Sequence, residues 1–319
     1  MQLIRNARTF GPHLRLRKNV AMDTTSFDDR DGHIWYDGEM SRWPDANVHV
    51  LTHGLHYASC VFEGERSYNR KIFKLREHTE RLLKSARILG FDIPYSADDI
   101  DTACNEVCRV NGIVDGYIRP VAWRGSEMMG VSAQQNTIHL AIAAWPWPSY
   151  FSPEARMKGI RLKTSEWRRP APETAPTDSK AAGLYMICTM SKHAAEAEGY
   201  DDALMLDWRG QVAEATGANI FLVFGDGKLH TPTASCFLNG ITRQTVIGLA
   251  EARGIEVIER TIMPEELTDA TEVFLTGTAA EVTPVGEIDN NKFVVGDISR
   301  WMMDDYDKAV GNTPSEAAA

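Results

Sequence analysis

Three short runs carry side chains whose types and spacing could do chemistry. In Arg169-Pro170-Ala-Pro172-Glu-Thr-Ala-Pro176-Thr-Asp-Ser-Lys180-Ala-Ala-Gly183-Leu-Tyr185, three prolines fix an extended approach. Lys180 then stands among small residues ahead of an apolar helical pattern. An amine with little room for water is a candidate for a lowered pKa and for Schiff-base chemistry; the plain alternative is a surface lysine at a helix start. In Leu238-Asn-Gly240-Ile241-Thr242-Arg-Gln, a glycine and a threonine open the apolar period Val246, Leu249, Ala250. Free N–H groups and the positive end of the helix dipole suit an anion there, and a simple Thr242 N-cap is the alternative. In Thr276-Gly277-Thr278-Ala279-Ala280-Glu281, small residues follow the strand pattern Val273-Phe-Leu275. Such a turn lets an anion approach the backbone, and Thr278 adds a hydroxyl donor.

These runs sit in a chain whose periodicity predicts two units. Ile34-Trp-Tyr36 and Glu39-Met40 flank Asp37-Gly38 as a type I′ hairpin, and a second hairpin brackets Asn69-Arg70 between Glu65–Tyr68 and Ile72–Leu75. One helix carries Leu82, Leu83, Ala86 and Leu89 and stops at Gly90. A second starts at Ser96, with Asp99 three residues on, and is expected to bury Ile100, Cys104, Val107 and Val110. Strands are expected at Gly116–Trp123 and Thr137–Ala144. Trp145–Pro153 is proline-rich and aromatic and reads as a packed linker. Beyond it come a helix near Leu184–Gly199, hairpins turning at Arg209-Gly210 and Gly225-Asp226-Gly227, and a helix at Thr242–Ala252. Strands at Glu256–Ile262, Glu272–Thr276 and Phe293–Val295 precede a last helix at Ser299–Val310. The division expected is an extension over 1–30, a small α/β domain over 31–145, a linker over 146–158, a larger domain over 159–310 and a flexible tail over 311–319.

Composition bounds the rest. With 319 residues, 43% apolar and 24% charged, the chain is of ordinary globular make-up. A net charge of −10 argues against nucleic acid as a partner. No window approaches the roughly 18 apolar residues of a membrane span. Five scattered cysteines (Cys60, Cys104, Cys108, Cys188, Cys236) suggest buried thiols in a reducing cytoplasm rather than a disulfide framework or a metal site. The first 22 residues hold five Arg/Lys and no acid; Pro12 and the lack of serine favour a basic arm over an organelle-targeting stretch.

Taken in order, seven motifs resemble the branched-chain amino-acid aminotransferases, fold type IV enzymes that use pyridoxal 5′-phosphate. They are His53-Gly-Leu-His-Tyr57 with Val61-Phe62-Glu63-Gly64 and Arg66; Arg76-Glu-His-Thr-Glu-Arg81-Leu; Gly116-Tyr117-Ile-Arg119-Pro120; Lys180 with Tyr185; Glu214-Ala-Thr-Gly217-Ala-Asn219; Gly240-Ile241-Thr242; and Thr276-Gly277-Thr278-Ala279-Ala-Glu281. The resemblance spans about residues 33–310 and implies a two-domain α/β architecture of mixed α+β type.

It also implies roles. Lys180 would form the Schiff base with the cofactor and move the proton, Glu214 would face the ring nitrogen, and Tyr185 the ring's phenolic oxygen. Arg81, Gly217, Gly240, Ile241, Thr242, Gly277 and Thr278 would cradle the phosphate and ring. Thr278 and Ala279 amides with Tyr117 would take the substrate α-carboxylate, and Arg119 the distal carboxylate of 2-oxoglutarate. Tyr57, Phe62, Arg66, Trp147, Tyr150 and Tyr185 would wall the side-chain pocket, with core packing the alternative for the aromatics. Met128, Met129 and Val131 would close a neighbouring subunit's site in a homodimer or larger assembly. The partners implied are amino acids and 2-oxo acids, no metal, no membrane. Glu65 departs from the pattern, since the family has an apolar residue there. A carboxylate at the side-chain pocket would disfavour aliphatic substrates unless it paired with Arg66 or pointed away. On the same fold, an (R)-amine or D-amino-acid transaminase, or an aminodeoxychorismate lyase, is the alternative; a non-catalytic binder of the cofactor is a third.

Overall fold

The computed structural model of the protein describes residues 26–147 and 157–311. The first stretch runs β1 (His33–Tyr36), β2 (Glu39–Arg42), α1 (His53–Tyr57), β3 (Cys60–Phe62), β4 (Glu65–Tyr68), β5 (Lys71–Ile72), α2 (Leu75–Ile88), α3 (Ala97–Val110), β6 (Gly116–Arg124) and β7 (Ile138–Pro146). Among the described residues its seven strands make one sheet in the order β2-β1-β7-β6-β4-β5, with β3 also paired to β6. Both tight turns use left-handed backbone at their two central positions: Asp37 (φ 48°) and Gly38 (φ 101°), then Asn69 (φ 49°) and Arg70 (φ 67°). That is the type I′ geometry that matches strand twist. Ser96 and Asp99 form the capping box that starts α3. Leu82 and Ala86 from α2 and Ile100, Cys104 and Val107 from α3 pack on Ile118, Leu140 and Ile142 of the sheet.

The second stretch runs β8 (Ile160–Arg169), a 3₁₀ turn (Ala182–Tyr185), α4 (Met186–Ala197), β9 (Asp202–Asp207), β10 (Val212–Ala215), β11 (Asn219–Val223), β12 (Leu229–Pro232), α5 (Ile241–Ala252), β13 (Val257–Arg260), β14 (Glu272–Gly277), β15 (Glu281–Ile288), β16 (Asn291–Lys292) and α6 (Asp297–Ala309). Its nine-stranded sheet has the order β10-β9-β8-β15-β14-β11-β12-β13, with β16 paired to β15. A pairing of Glu214 with Asn219 joins β10 to β11 and closes six of these strands into a ring. Leu162, Leu204, Ile220, Leu275 and Val285 form one core. Phe221 and Phe274 pack with Val246 of α5 and Met302 and Tyr306 of α6 in another.

Several expectations are corrected. Val110 ends α3 at 37% exposure instead of being buried. The second hairpin is shorter than expected, since β5 stops at Ile72 and Leu75 already starts α2. Phe293–Val295 is not a strand; only Asn291 and Lys292 pair, with Ile288 and Glu287. The eight-residue β15 is absent from the pattern reading because Glu281, Pro284, Gly286 and Glu287 interrupt its apolar alternation. Ion pairs with Arg66 and Arg161 let the two glutamates be buried there.

Candidate active site

A cleft opens where α2 and β3 of the first sheet's layer meet the segment before α4. Lys180 is fixed there through its backbone. Its N–H donates to Ser85 Oγ on α2 (3.0 Å), and its carbonyl accepts from Phe62 N–H (3.2 Å). Ser179 Oγ donates to the Ser85 carbonyl at 3.0 Å, and Ala181 bridges Val61. The prolines therefore deliver Lys180 to a seam between the two halves of the chain. Its Nζ reaches back into the cleft, donates to the Tyr185 hydroxyl at 2.8 Å and stands 5.0 Å from the centre of the Phe62 ring.

Across the cleft Glu214 leaves β10 with a carboxylate that solvent barely touches. Burial pushes its carboxyl up to about 7, against the opposing pull of Arg169 and Lys180. Arg169 Nε lies 3.3 Å from Oε1, and Asn219 Nδ2 donates to Oε2 at 3.1 Å. Asn219 also clasps the approach to α5, donating to the Leu238 carbonyl and accepting from Gly240 N–H. Gly240 is required by that clasp, since a Cβ there would sit 2.2 Å from Asn219 Oδ1.

The opposite end of the cleft suits an anion. Gly240 caps α5 without any side-chain hydrogen bond, so the first N–H groups of a twelve-residue helix are left for a ligand. Thr242 is therefore not the N-cap. Its hydroxyl is bonded to Tyr306 of α6. Gly277 and Thr278 line the cleft from the β14–β15 turn, and a Cβ on Gly217 would meet nothing within 4 Å. Thr276 Oγ1 is buried without a partner at the same wall. Arg81 enters from α2, with Nε and Nη2 both on Glu63 (2.6 and 2.8 Å).

The expected substrate residues divide. Phe62 packs edge-on to Tyr185 at 4.8 Å, beside Lys180. Tyr117 lies over Gly64, where a Cβ would come within 1.9 Å of its hydroxyl oxygen. That hydroxyl accepts from Arg119 Nη2 at 3.0 Å. Arg119 rests on the Phe62 ring (4.6 Å) with its Nε buried and unpartnered. Ala279 sits half-buried in the turn after Thr278. Trp147 packs tilted against Tyr117, ring centres 5.8 Å apart, and is off the cleft that Lys180 lines. Tyr150 lies outside the described residues.

Two side chains are not where a pocket wall needs them. Tyr57 is 47% exposed and stacked on His53. Arg66 turns to the other half of the chain, 3.6 Å from Glu281, because alternation along β4 places it with Tyr68, whose hydroxyl also donates to Glu281 (3.0 Å). The same alternation sends Glu65 the other way, into the core beside Cys104, where burial and the charges of Glu63 and Asp101 push its carboxyl well up. Glu65 thus neither pairs with Arg66 nor reaches the cleft.

Pyridoxal 5′-phosphate fits this residue set. The orphaned Thr276 hydroxyl, the uncapped α5 end and Arg81 suit a phosphate, the buried Glu214 suits a ring N–H, and the Lys180 amine suits an aldehyde. Sequence reasoning gave no role to Glu63, His78, Ser85 or Arg169. Glu63, His78 and Arg169 lie inside its quoted motifs, but burial was the missing signal.

The family model described as Amino-transferase class IV matches residues 60–288. The chain is 45% identical to a branched-chain-amino-acid aminotransferase of Pseudomonas aeruginosa over 275 residues, 85% of this chain and 89% of that protein. It is similar to the solved branched-chain aminotransferase of the thermophilic archaeon Thermoproteus uzoniensis with norvaline (TM-score 0.84, 39% identity, 89% of this chain and 97% of that one). The branched-chain amino acid aminotransferase of Thermobaculum terrenum, solved in its pyridoxal phosphate-bound holo-form, matches at TM-score 0.80 and 32% identity, covering 89% and 95%.

Proposed function

The chain belongs to the class IV aminotransferases, among the branched-chain-amino-acid aminotransferases, and from that premise we propose that it moves the amino group of L-leucine, L-isoleucine or L-valine to 2-oxoglutarate by ping-pong turnover with pyridoxal 5′-phosphate. The observation that carries the reading is the Lys180 amine, 2.8 Å from the Tyr185 hydroxyl in the cleft that Glu214 also lines. When bound, the cofactor supplies an aldehyde that condenses with amines and a cationic ring that draws electrons from the amino-acid Cα.

The chain's own residues do the rest. Lys180 Nζ takes and returns the proton at Cα, and the Tyr185 hydroxyl holds that amine in line between exchanges. Glu214, steadied by Arg169 and Asn219, keeps a negative charge facing the ring nitrogen. Arg81, the Ile241 and Thr242 amides and Thr278 hold the phosphate, with Gly217, Gly240 and Gly277 leaving it room. Thr278 and Ala279 amides with Tyr117 orient the α-carboxylate. Arg119, carried on the Phe62 ring and bonded to Tyr117, can swing towards the distal carboxylate of glutamate and leave an apolar wall for leucine.

Residues 31–145 and 159–310 act in this reading as two domains closing on the cleft. A second copy of the chain covers the apolar surface of Val48, Val50, Leu51, Leu55 and Tyr57, which adjoins Val131 and Met128 through the bond from His53 to the Gly130 carbonyl. The free cysteines favour a reducing compartment such as the cytoplasm. A panel of L-leucine, L-valine, D-alanine and (R)-1-phenylethylamine with 2-oxoglutarate tests the function. Glutamate should form from the first two alone. Turnover confined to D-alanine or the aromatic amine would overturn the substrate assignment.

A further inference from the structure

Glu63 has no part in the function above, yet its setting is built with care. It lies between β3 and β4 with no exposed surface, and its carboxylate accepts four hydrogen bonds. Two come from Arg81, Nε to Oε1 (2.6 Å) and Nη2 to Oε2 (2.8 Å). Oε2 also takes His78 Nδ1 at 2.7 Å and the Gly64 N–H at 3.3 Å. Burial would push the Glu63 carboxyl up, but the Arg81 charge outweighs it and holds the group well below the usual carboxylate range. His78, one turn before Arg81 on α2, is held down by burial and so bonds as a neutral ring.

An ionised carboxylate beside the place proposed for a phosphate is the reverse of what simple charge attraction would put there. Its value is geometric. A lone arginine on a helix face samples many rotamers, and a bidentate carboxylate removes that freedom. Resting on the pyridoxal phosphate reading, we infer that Glu63 is a positioning residue for the cofactor's phosphate. It grips the Nε–Nη2 edge of Arg81, with His78 as a brace, so that Nη1 is the nitrogen presented to the cleft.

Point-charge reasoning and positioning predict opposite signs. Removing the negative charge should tighten phosphate binding if charge alone counts, and weaken it if Glu63 aims Arg81. The test measures dissociation constants of pyridoxal 5′-phosphate for ligand-free wild type, E63Q, E63D, R81A and E63Q/R81A, with inorganic phosphate as a competing probe that forms no imine. The expected result is R81A weaker than wild type, E63Q weaker by at least about tenfold, and E63D in between. In the R81A background E63Q should change the constant by less than about twofold, because its effect passes through Arg81. Binding by E63Q as tight as wild type or tighter, or an equal loss in both backgrounds, overturns the inference. Should E63Q fail to fold, E63D with and without R81A decides by the same criterion. A wild-type chain that takes up no pyridoxal phosphate overturns the functional reading as well, whereas an unchanged E63Q constant with wild-type uptake intact overturns this inference alone.

Discussion

Glu214 is the residue whose charge the proposed chemistry uses, and burial outweighs the pull of Arg169 and Lys180 and makes that charge costly in the ligand-free protein. Its folded-state pKa of about 7 lies above the ordinary value of 4.5. Between those two pH values the folded chain holds a proton that the unfolded chain has released, so this group's contribution to stability falls as pH rises through that window and is flat outside it. The full change is about 3 kcal/mol. Glu214→Gln stays neutral throughout. Ligand-free E214Q and wild type should therefore unfold alike near pH 4.5, with E214Q gaining on wild type up to pH 8 by as much as that figure in denaturant titrations. Transamination should meanwhile fall at least about a hundredfold. A stability difference that does not vary with pH would show that Glu214 is not the group titrating. That Lys180, Tyr185 and Glu214 share one cleft was legible because each stands in a short motif. Arg169 and Glu63 were not, because a charged side chain reveals its partner only when burial removes water as the competitor.

At the scale of elements, local rules carried far where backbone chemistry is self-contained. The Ser96–Asp99 capping box and the stop at Gly90 satisfy their hydrogen bonds locally, and the Asp37-Gly38 and Asn69-Arg70 turns were legible from backbone conformation although their N–H groups bond to Leu140, Asp115 and Val114. β15 was missed because its two buried glutamates are tolerated only through arginines brought from β4 and β8. Which way Arg66 and Glu65 face was not legible for a related reason. Alternation tells that neighbours on β4 face opposite ways, but not which face meets the cleft. Thr242 gives the same lesson at a helix end, since Gly240 supplies the cap and Tyr306 of α6 engages the hydroxyl that a local reading would give to the cap.

At the scale of the molecule, the cleft exists only because two sheets meet. Arg81 comes from α2 on the first, Glu214, Gly240 and Thr278 from the second, and Lys180, which precedes α4 of the second, is tied to the first through Ser85 and Phe62. On the proposed reading, the exposed apolar side chains of Val50, Leu55 and Tyr57 would extend the same logic to a second copy. Leu55→Asp, at 65% exposure in the single chain, should fold normally but sediment at a smaller mass than wild type at micromolar concentration. Equal masses would remove that surface from the interface. The central claim, that one amine at the seam of the two sheets binds the cofactor, is tested most directly by reducing the pyridoxal phosphate-loaded protein with borohydride and mapping the modified peptide. The account predicts a single pyridoxyl adduct on Lys180, absent from Lys180→Ala. An adduct on another lysine, or none on a protein that has taken up the cofactor, would contradict it.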